Sequence, residues 1–207
     1  MNTRIGKKRE KSSGQHDDAG LFAQFLSGDD AAFRTFFERH NQKLFAYCFK
    51  MTKSHRHAED LVQEAWIRAI DLRSKASEPI RNPVGLMIRI VRNLCLDFFK
   101  TGKNLEPLDE LSESEHPVYR MRELSTEEEV VQRSLDRLSF NYREVLVLNV
   151  YSGYSCEDIA VMLDASPDAI WARVSRARKK LRELVVRELE REESGLKVIT
   201  QPKRKMR

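Results

Sequence analysis

The stretch SCEDIAVMLDASPDAIWARVSRARKKLRELVVR, residues 155–187, decides how the chain is read. It divides into a short helix over 155–163, a tight corner at Asp164 and Ala165, and a long basic helix opening at Ser166 and Pro167. Ser155 and Ser166 suit N-cap positions, because a hydroxyl accepts a bond from an unpaired amide of the first turn. Pro167 fits the first helical position, where its missing amide hydrogen costs nothing and its fixed φ is already helical. Ile159, Ala160 and Leu163 give the first helix an apolar stripe; Ile170, Val174, Ala177, Leu181 and Leu184 give the second one. The remaining positions of the second helix are crowded with Arg173, Arg176, Arg178, Lys179, Lys180, Arg182 and Arg187 against Asp168 and Glu183. A capped short helix, a corner and an Arg-rich helix make a helix-turn-helix that can present its second helix to the major groove of DNA. Asp164 stands where glycine would be easiest, so the corner is expected to place an aspartate in the left-handed region, which it tolerates better than most residues. The competing reading, an amphipathic helix with a solvated charged face, does not account for the one-signed charge after the corner.

The whole chain has 207 residues, 33% of them charged, with a net charge of +5. A mean hydropathy of −0.57 suits small helical domains better than one large core. The basic balance points to nucleic acid, although the tails supply part of it. Cys48, Cys95 and Cys156 are widely spaced and contain no CxxC pair, so they read as small buried or half-buried side chains in a reducing compartment. No apolar run reaches membrane-span length, and the N-terminus lacks the apolar core of a secretory signal, so a cytoplasmic protein is expected. No Ser/His/Asp set, phosphate-binding glycine loop or metal-ligand cluster stands out, which predicts no catalysis, no cofactor and no metal.

The expected fold is all-α: two small helical domains joined by an acidic flexible linker, the C-terminal one a helix-turn-helix. Residues 1–20 read as a disordered basic tail, 21–101 as a helical domain, 102–125 as the linker, 126–192 as the helix-turn-helix domain and 193–207 as a second basic tail. In the first domain, Phe22, Phe25 and Leu26 open a helix that Gly28 ends, and Asp29 or Asp30 caps the next. His40 falls on the apolar face of that next helix and reads as a core histidine, whereas His55 and His57 are expected in a loop. Over 57–72, Ala58, Leu61, Val62, Ala65, Trp66 and Ala69 follow the helical template, with Glu59, Asp60, Gln63 and Glu64 outward. That acidic cluster either complements the helix dipole or docks a basic partner. Over 84–100, Met87, Ile90, Val91, Leu94 and Phe98 face inward while Arg89, Arg92, Asn93 and Lys100 face out, able to hold phosphates and unpaired bases or simply to be solvated. The linker carries Glu106, Asp109, Glu110, Glu113, Glu115 and Glu123, and its residues fully extended would span about 80 Å. Behind the helix-turn-helix, Val130, Val131, Leu135 and Leu138 line a helix capped by Thr126, and Val145, Leu146, Leu148 and Val150 line another that Gly153 stops.

Both halves resemble the extracytoplasmic-function (ECF) sigma factors, a group of the sigma-70 family of bacterial RNA polymerase. LDRLSFNYREVLVLNVYSGYSCEDIAVMLDASPDAIWARVSRARKKLREL, residues 135–184, is similar to their minus-thirty-five recognition domain, above all in SRARKKL. HAEDLVQEAWIRAI, residues 57–70, resembles the segment that binds the β′ clamp helices of the polymerase, and PVGLMIRIVRNLCLDFFK, residues 83–100, resembles the minus-ten recognition and melting helix. The resemblance implies an alternative sigma factor whose partners are core RNA polymerase (β′ clamp helices and β flap) and promoter DNA, in a family commonly held inactive by an anti-sigma factor. By position it assigns Asp60, Leu61, Gln63 and Glu64 to polymerase docking. It assigns Arg81, Asn82, Arg89, Arg92, Asn93 and Lys100 to the minus-ten element, the 75–82 loop receiving a flipped base. Trp171, Ala172, Arg173, Ser175, Arg176, Arg178 and Lys179 fall to the minus-thirty-five element, with Arg178 and Lys179 nearer phosphates and Arg176 on a guanine. The chain departs from the family pattern at Leu86, at Asp168 and Ala169, and at Trp171, so an unusual minus-thirty-five sequence is expected. The alternative is a free-standing helix-turn-helix regulator, which would need no core enzyme.

Overall fold

The computed structural model describes residues 14–75, 79–101 and 126–199, with side chains over 18–75, 79–101 and 127–191. It contains eight α-helices among those residues, and no strand. The chain separates into two compact units, one ending at Lys103 and the other beginning at Asn104. The acidic stretch 102–125, the tip of the 75–82 loop and the Thr126 cap lie outside what is described.

The first unit holds α1 (Gly14–Leu26), α2 (Asp30–Thr52), α3 (His55–Asp71) and α4 (Pro83–Lys100), with α3 closing in a 3₁₀ turn at Leu72–Ser74. Asp29 starts α2 by accepting from the amides of Ala31 (2.8 Å) and Ala32 (3.2 Å). Ser54 starts α3 by accepting from His57 N at 3.3 Å. Helices α2, α3 and α4 pack on one another, and α1 lies against α2 and α4. Three alanines on α3, Ala58, Ala65 and Ala69, are fully buried, and their small side chains let its neighbours approach closely. Trp66 occupies the centre of an aromatic cluster, its ring 4.9 Å from Phe37, 5.8 Å from Phe33 and 6.0 Å from Phe36. Its indole N–H donates to Asn41 Oδ1 at 2.9 Å, so the ring is buried without orphaning its one polar atom.

Three features of this unit differ from expectation. Helix α1 begins at Gly14, inside the stretch read as a tail, because Asp18 is buried and accepts from Arg39 Nη1 (2.6 Å) and pairs with His40 Nε2 (3.0 Å). A contact 22 residues away in sequence leaves no mark on the local apolar period. His55 and His57 belong to the first turn of α3, where their rings lie 4.9 Å from Phe45 and 4.7 Å from Phe98. Ile90 is half-buried, while Ile88 and Cys95 take core positions on α4. The end of α3 is tied back by Arg73, which donates to the Phe25 carbonyl at 3.0 Å and to Asp30 at 2.8 Å and lies over the Phe25 ring.

The second unit holds α5 (Thr126–Asp136), α6 (Phe140–Leu146), α7 (Cys156–Leu163) and α8 (Pro167–Ile199), with α5, α6 and α7 all packed on α8. Helix α6 widens into a π-helical turn over Val147–Tyr151, closed by Ser152 N–H on the Val147 carbonyl. Gly153 then takes φ +74°, as a terminating glycine should, and Tyr154 N–H reaches back to the Leu148 carbonyl at 3.0 Å. The extra residue of the π turn shifts the register, so Val147 is buried and Val150 is 59% exposed, the reverse of the regular period. Val131 also faces out. Arg143 is buried behind α5, donating to the carbonyls of Asp136 (2.5 Å) and Leu138 (3.2 Å), a cation placed on the carbonyl end of a helix. Helix α8 continues to Ile199, past the point where a tail was expected. Glu188 pairs with Arg137, in the turn just after α5, and with Arg191 at 3.2 Å, which couples the end of α5 to this distal half.

Burial holds the His40 imidazole below its ordinary pKa of 6.5, an effect larger than the opposing pull of Asp18. The unfolded chain therefore binds more protons below that value, and stability is lost as pH falls through the folded pKa. Urea titrations at pH 7.5 and 5.5 should show His40→Gln less stable than wild type at the higher pH and the gap narrowing at the lower. A gap that stays constant contradicts this.

Candidate functional site

The corner between α7 and α8 forms as its residues dictate. Ser155 Oγ accepts from Asp158 N at 3.0 Å while the Asp158 carboxylate accepts from Ser155 N at 3.2 Å, a reciprocal box that fixes the start of α7. Asp164 ends the helix at φ 52°, ψ 56°, and Ala165 N–H closes on the Ala160 carbonyl at 2.9 Å. Ser166 Oγ accepts from Ala169 N at 3.2 Å, and Pro167 opens α8. Ile170, Val174 and Ala177 are buried, and Leu181 and Leu184 are half-buried. That fixes the rotation of α8. Trp171, Ser175, Arg176, Arg178 and Lys179 are exposed, whereas Ala172 and Arg173 are half-buried.

These side chains fall on two flanks of the helix. On the α7 flank, Trp171 is 55% exposed and points its indole N–H toward Glu157 Oε1 at 3.4 Å. Arg178 donates to Asn149 Oδ1 at 2.9 Å, and the Asn149 amide in turn donates to the Tyr154 carbonyl at 2.9 Å. Arg178 is thus engaged within the protein, which the spacing of basic residues could not show. On the other flank, Ala172, Arg173 and Arg176 line a groove of about 480 Å³ with Ala169 and with Ser139, Asn141 and Tyr142 of the α6 start.

In the first unit, α3 turns Asp60 and Gln63 to solvent, with Glu59 and Glu64 partly covered. Glu64 accepts from Arg68 Nε at 2.8 Å, and Glu59 lies 3.3 Å from His55 Nδ1. Leu61 is half-buried, at the boundary between the core and this face. Ile67 and Ile70, 48% and 44% exposed, continue the face along the helix; their spacing from Asp60 and Gln63 carries the signal, which the pattern of charge alone does not. On α4, Arg89, Asn93 and Lys100 are exposed and Arg92 half-buried, with Lys100 3.3 Å from Asp97. Arg81 is exposed just before the helix. Asn82 serves the fold directly, since its Oδ1 caps α4 by accepting from Gly85 N at 2.8 Å. A Cβ on Gly85 would come within 2.5 Å of Asn82 Nδ2, so the glycine makes room for the cap. Among the described residues, no group of three His, Cys, Asp or Glu side chains could hold a metal ion, and no helix is long and apolar enough to cross a membrane.

Comparison with known proteins covers both units. The profile of sigma-70 region 2 matches residues 36–104, and that of sigma-70 region 4 matches residues 128–181. The ECF RNA polymerase sigma factor SigM of Mycobacterium tuberculosis (strain H37Rv) is 32% identical over 180 residues, spanning 83% of this chain and 87% of SigM. Among solved structures, CnrH in complex with the cytosolic domain of CnrY aligns with a TM-score of 0.63 and 25% identity, over 82% of this chain and 97% of CnrH. The sigma factor RpoE in complex with the anti-sigma factor NepR from Bartonella quintana aligns with a TM-score of 0.57 and 27% identity, over 74% of this chain and 96% of RpoE.

Because Asn82 is a cap, Asn82→Ala should cost about 0.5–2 kcal/mol of first-unit stability. Asn82→Asp, which keeps the accepting oxygen, should remain near wild type. Equal urea midpoints for all three proteins would show that the cap contributes nothing.

Proposed function

We infer the function from one premise: the chain belongs to the ECF RNA polymerase sigma factors. It binds core RNA polymerase and directs promoter-specific transcription initiation, with no catalytic step of its own, in the cytoplasm. The observation that carries this reading is the pairing, in one chain, of an acidic and apolar face on α3 with a helix-turn-helix whose second helix exposes Trp171, Ser175 and Arg176. A free-standing regulator accounts for the second feature and leaves the first without a use.

The polymerase contact is assigned to Asp60, Leu61, Gln63 and Glu64, with Ile67 and Ile70 extending it. A rim of carboxylates steers a basic partner, and two exposed isoleucines supply apolar area that buries on contact. Arg81, Arg89, Arg92, Asn93 and Lys100 supply the cations and amide that would meet the minus-ten strand, where charge balances phosphate and an amide can pair with an unstacked base. At the minus-thirty-five element, Arg176 supplies an exposed guanidinium for a guanine edge and Trp171 an exposed ring for a thymine methyl or a sugar. The structure of RpoE in complex with the anti-sigma factor NepR supports an anti-sigma partner for this chain as well.

Charge reversal at Asp60 and Glu64 together should weaken binding to core polymerase at least tenfold while leaving helical content and melting unchanged; undiminished affinity would refute the docking assignment. Arg176→Ala should lose about 1–3 kcal/mol of discrimination at one base position, read by selecting promoter variants with the holoenzyme. An unchanged selected sequence would contradict it.

A further inference from the structure

We propose that Arg73 is a positioning residue for minus-ten recognition: it pins the entrance of the 75–82 loop to the α1–α2 corner and so holds the loop in place to take an unpaired base. The proposal rests on the assignment of that loop to the minus-ten strand, and it adds a residue from outside both the loop and α4. Arg73 belongs to the 3₁₀ turn Leu72–Ser74 that leads into the loop. Its Nε donates to the Phe25 carbonyl at 3.0 Å and its Nη2 to Asp30 Oδ1 at 2.8 Å, while the guanidinium stands 5.0 Å from the centre of the Phe25 ring. These contacts differ in weight. The Asp30 carboxylate is 84% exposed, and an ion pair so open to water holds little. The Phe25 carbonyl is one of the last acceptors of α1, where a cation also meets the negative end of the helix. Phe25 is 1% exposed, so the group that receives Arg73 is fixed in the core.

Helix α1 is itself anchored, by buried Phe22 and by Asp18 on Arg39 and His40. The clamp therefore joins the loop to a buried support 48 residues away in sequence. Ser74 and Lys75 also make bonds, but to Asp71 and Leu72 of the same turn, which ties the loop to nothing beyond that turn. At the exit, the Asn82 cap on Gly85 N fixes the first turn of α4. A loop held at both ends has fewer conformations to lose on taking a base than a loop held at one. The Arg73 guanidinium is engaged by α1 and α2, so the residue acts through the loop rather than by touching DNA.

The test uses holoenzyme assembled from core polymerase and the full-length chain. Its probes are a single-stranded oligonucleotide with the non-template minus-ten sequence that the wild-type holoenzyme selects, and copies with an abasic site at each position in turn. Arg73→Gln should bind the intact oligonucleotide about tenfold more weakly, the effect of leaving one more residue's backbone to be ordered. At the abasic position that costs the wild type most, this penalty should disappear, because no base is left for the loop to take. Arg73→Lys, which keeps a cation to donate to the Phe25 carbonyl, should recover most of the affinity. Asp30→Asn, which removes only the exposed ion pair, should stay within about twofold of wild type. Should Arg73→Gln fail to fold, Arg73→Met, which keeps an apolar stem over the Phe25 ring without a donor, must show the same base-dependent loss. The role of Arg73 is refuted if Arg73→Gln binds the intact oligonucleotide as wild type does. It is refuted equally if the penalty survives at every abasic position, the outcome for a residue that merely supports the fold. A wild-type holoenzyme indifferent to every abasic site would instead overturn the minus-ten assignment of the loop, on which the role of Arg73 depends.

Discussion

The second unit depends on one backbone event, the left-handed turn at Asp164. An L-residue in that region costs about 1–2 kcal/mol, less for a short polar side chain such as aspartate. The turn persists because both its flanks are fixed. The Ser155–Asp158 box holds the start of α7, the Ser166 cap holds the start of α8, and Ile159, Ala160, Ile170 and Val174 bury the angle between them. Once the angle is set, the buried stripe of α8 leaves no freedom in which residues face out. Trp171 and Arg176 are exposed because Ile170, Val174 and Ala177 cannot be.

Charge is divided along the chain with the same economy. Many arginines are structural: Arg73 closes the α1–α2 corner, Arg143 caps α5, Arg137 joins Glu188, and Arg178 rests on Asn149. On α3 the carboxylates lie beside exposed isoleucines, and that combination suits a protein surface better than a solvated face does.

Much of this is legible in order of sequence. The caps at Asp29, Ser155 and Ser166, the left-handed Asp164 and the stopping glycine at 153 depend on local chemistry, and each appears as the residue types require. The core stripe of α3 is likewise a local period. What escapes depends on contacts distant in sequence. The start of α1 rests on Asp18 meeting Arg39 and His40, 21 and 22 residues away. The π turn defeats a fixed helical period, which is why Val150 is exposed and Val147 is not. His55 and His57 read as loop residues because their partners, Phe45 and Phe98, come from α2 and α4. The engagement of Arg178 is hidden for the same reason, since Asn149 lies 29 residues away. The Asn82 cap is local to Gly85, but residue type alone does not show that its oxygen is already committed.

The chain works as the specificity subunit of a polymerase. Sequencing the 5′ ends of transcripts made by bacterial core polymerase on genomic DNA, with and without the purified chain, tests it most directly. A set of start sites should appear only with the chain and share two sequence elements upstream, one for each unit. No new start sites, together with tight sequence-selective binding of duplexes by the chain alone, would contradict it.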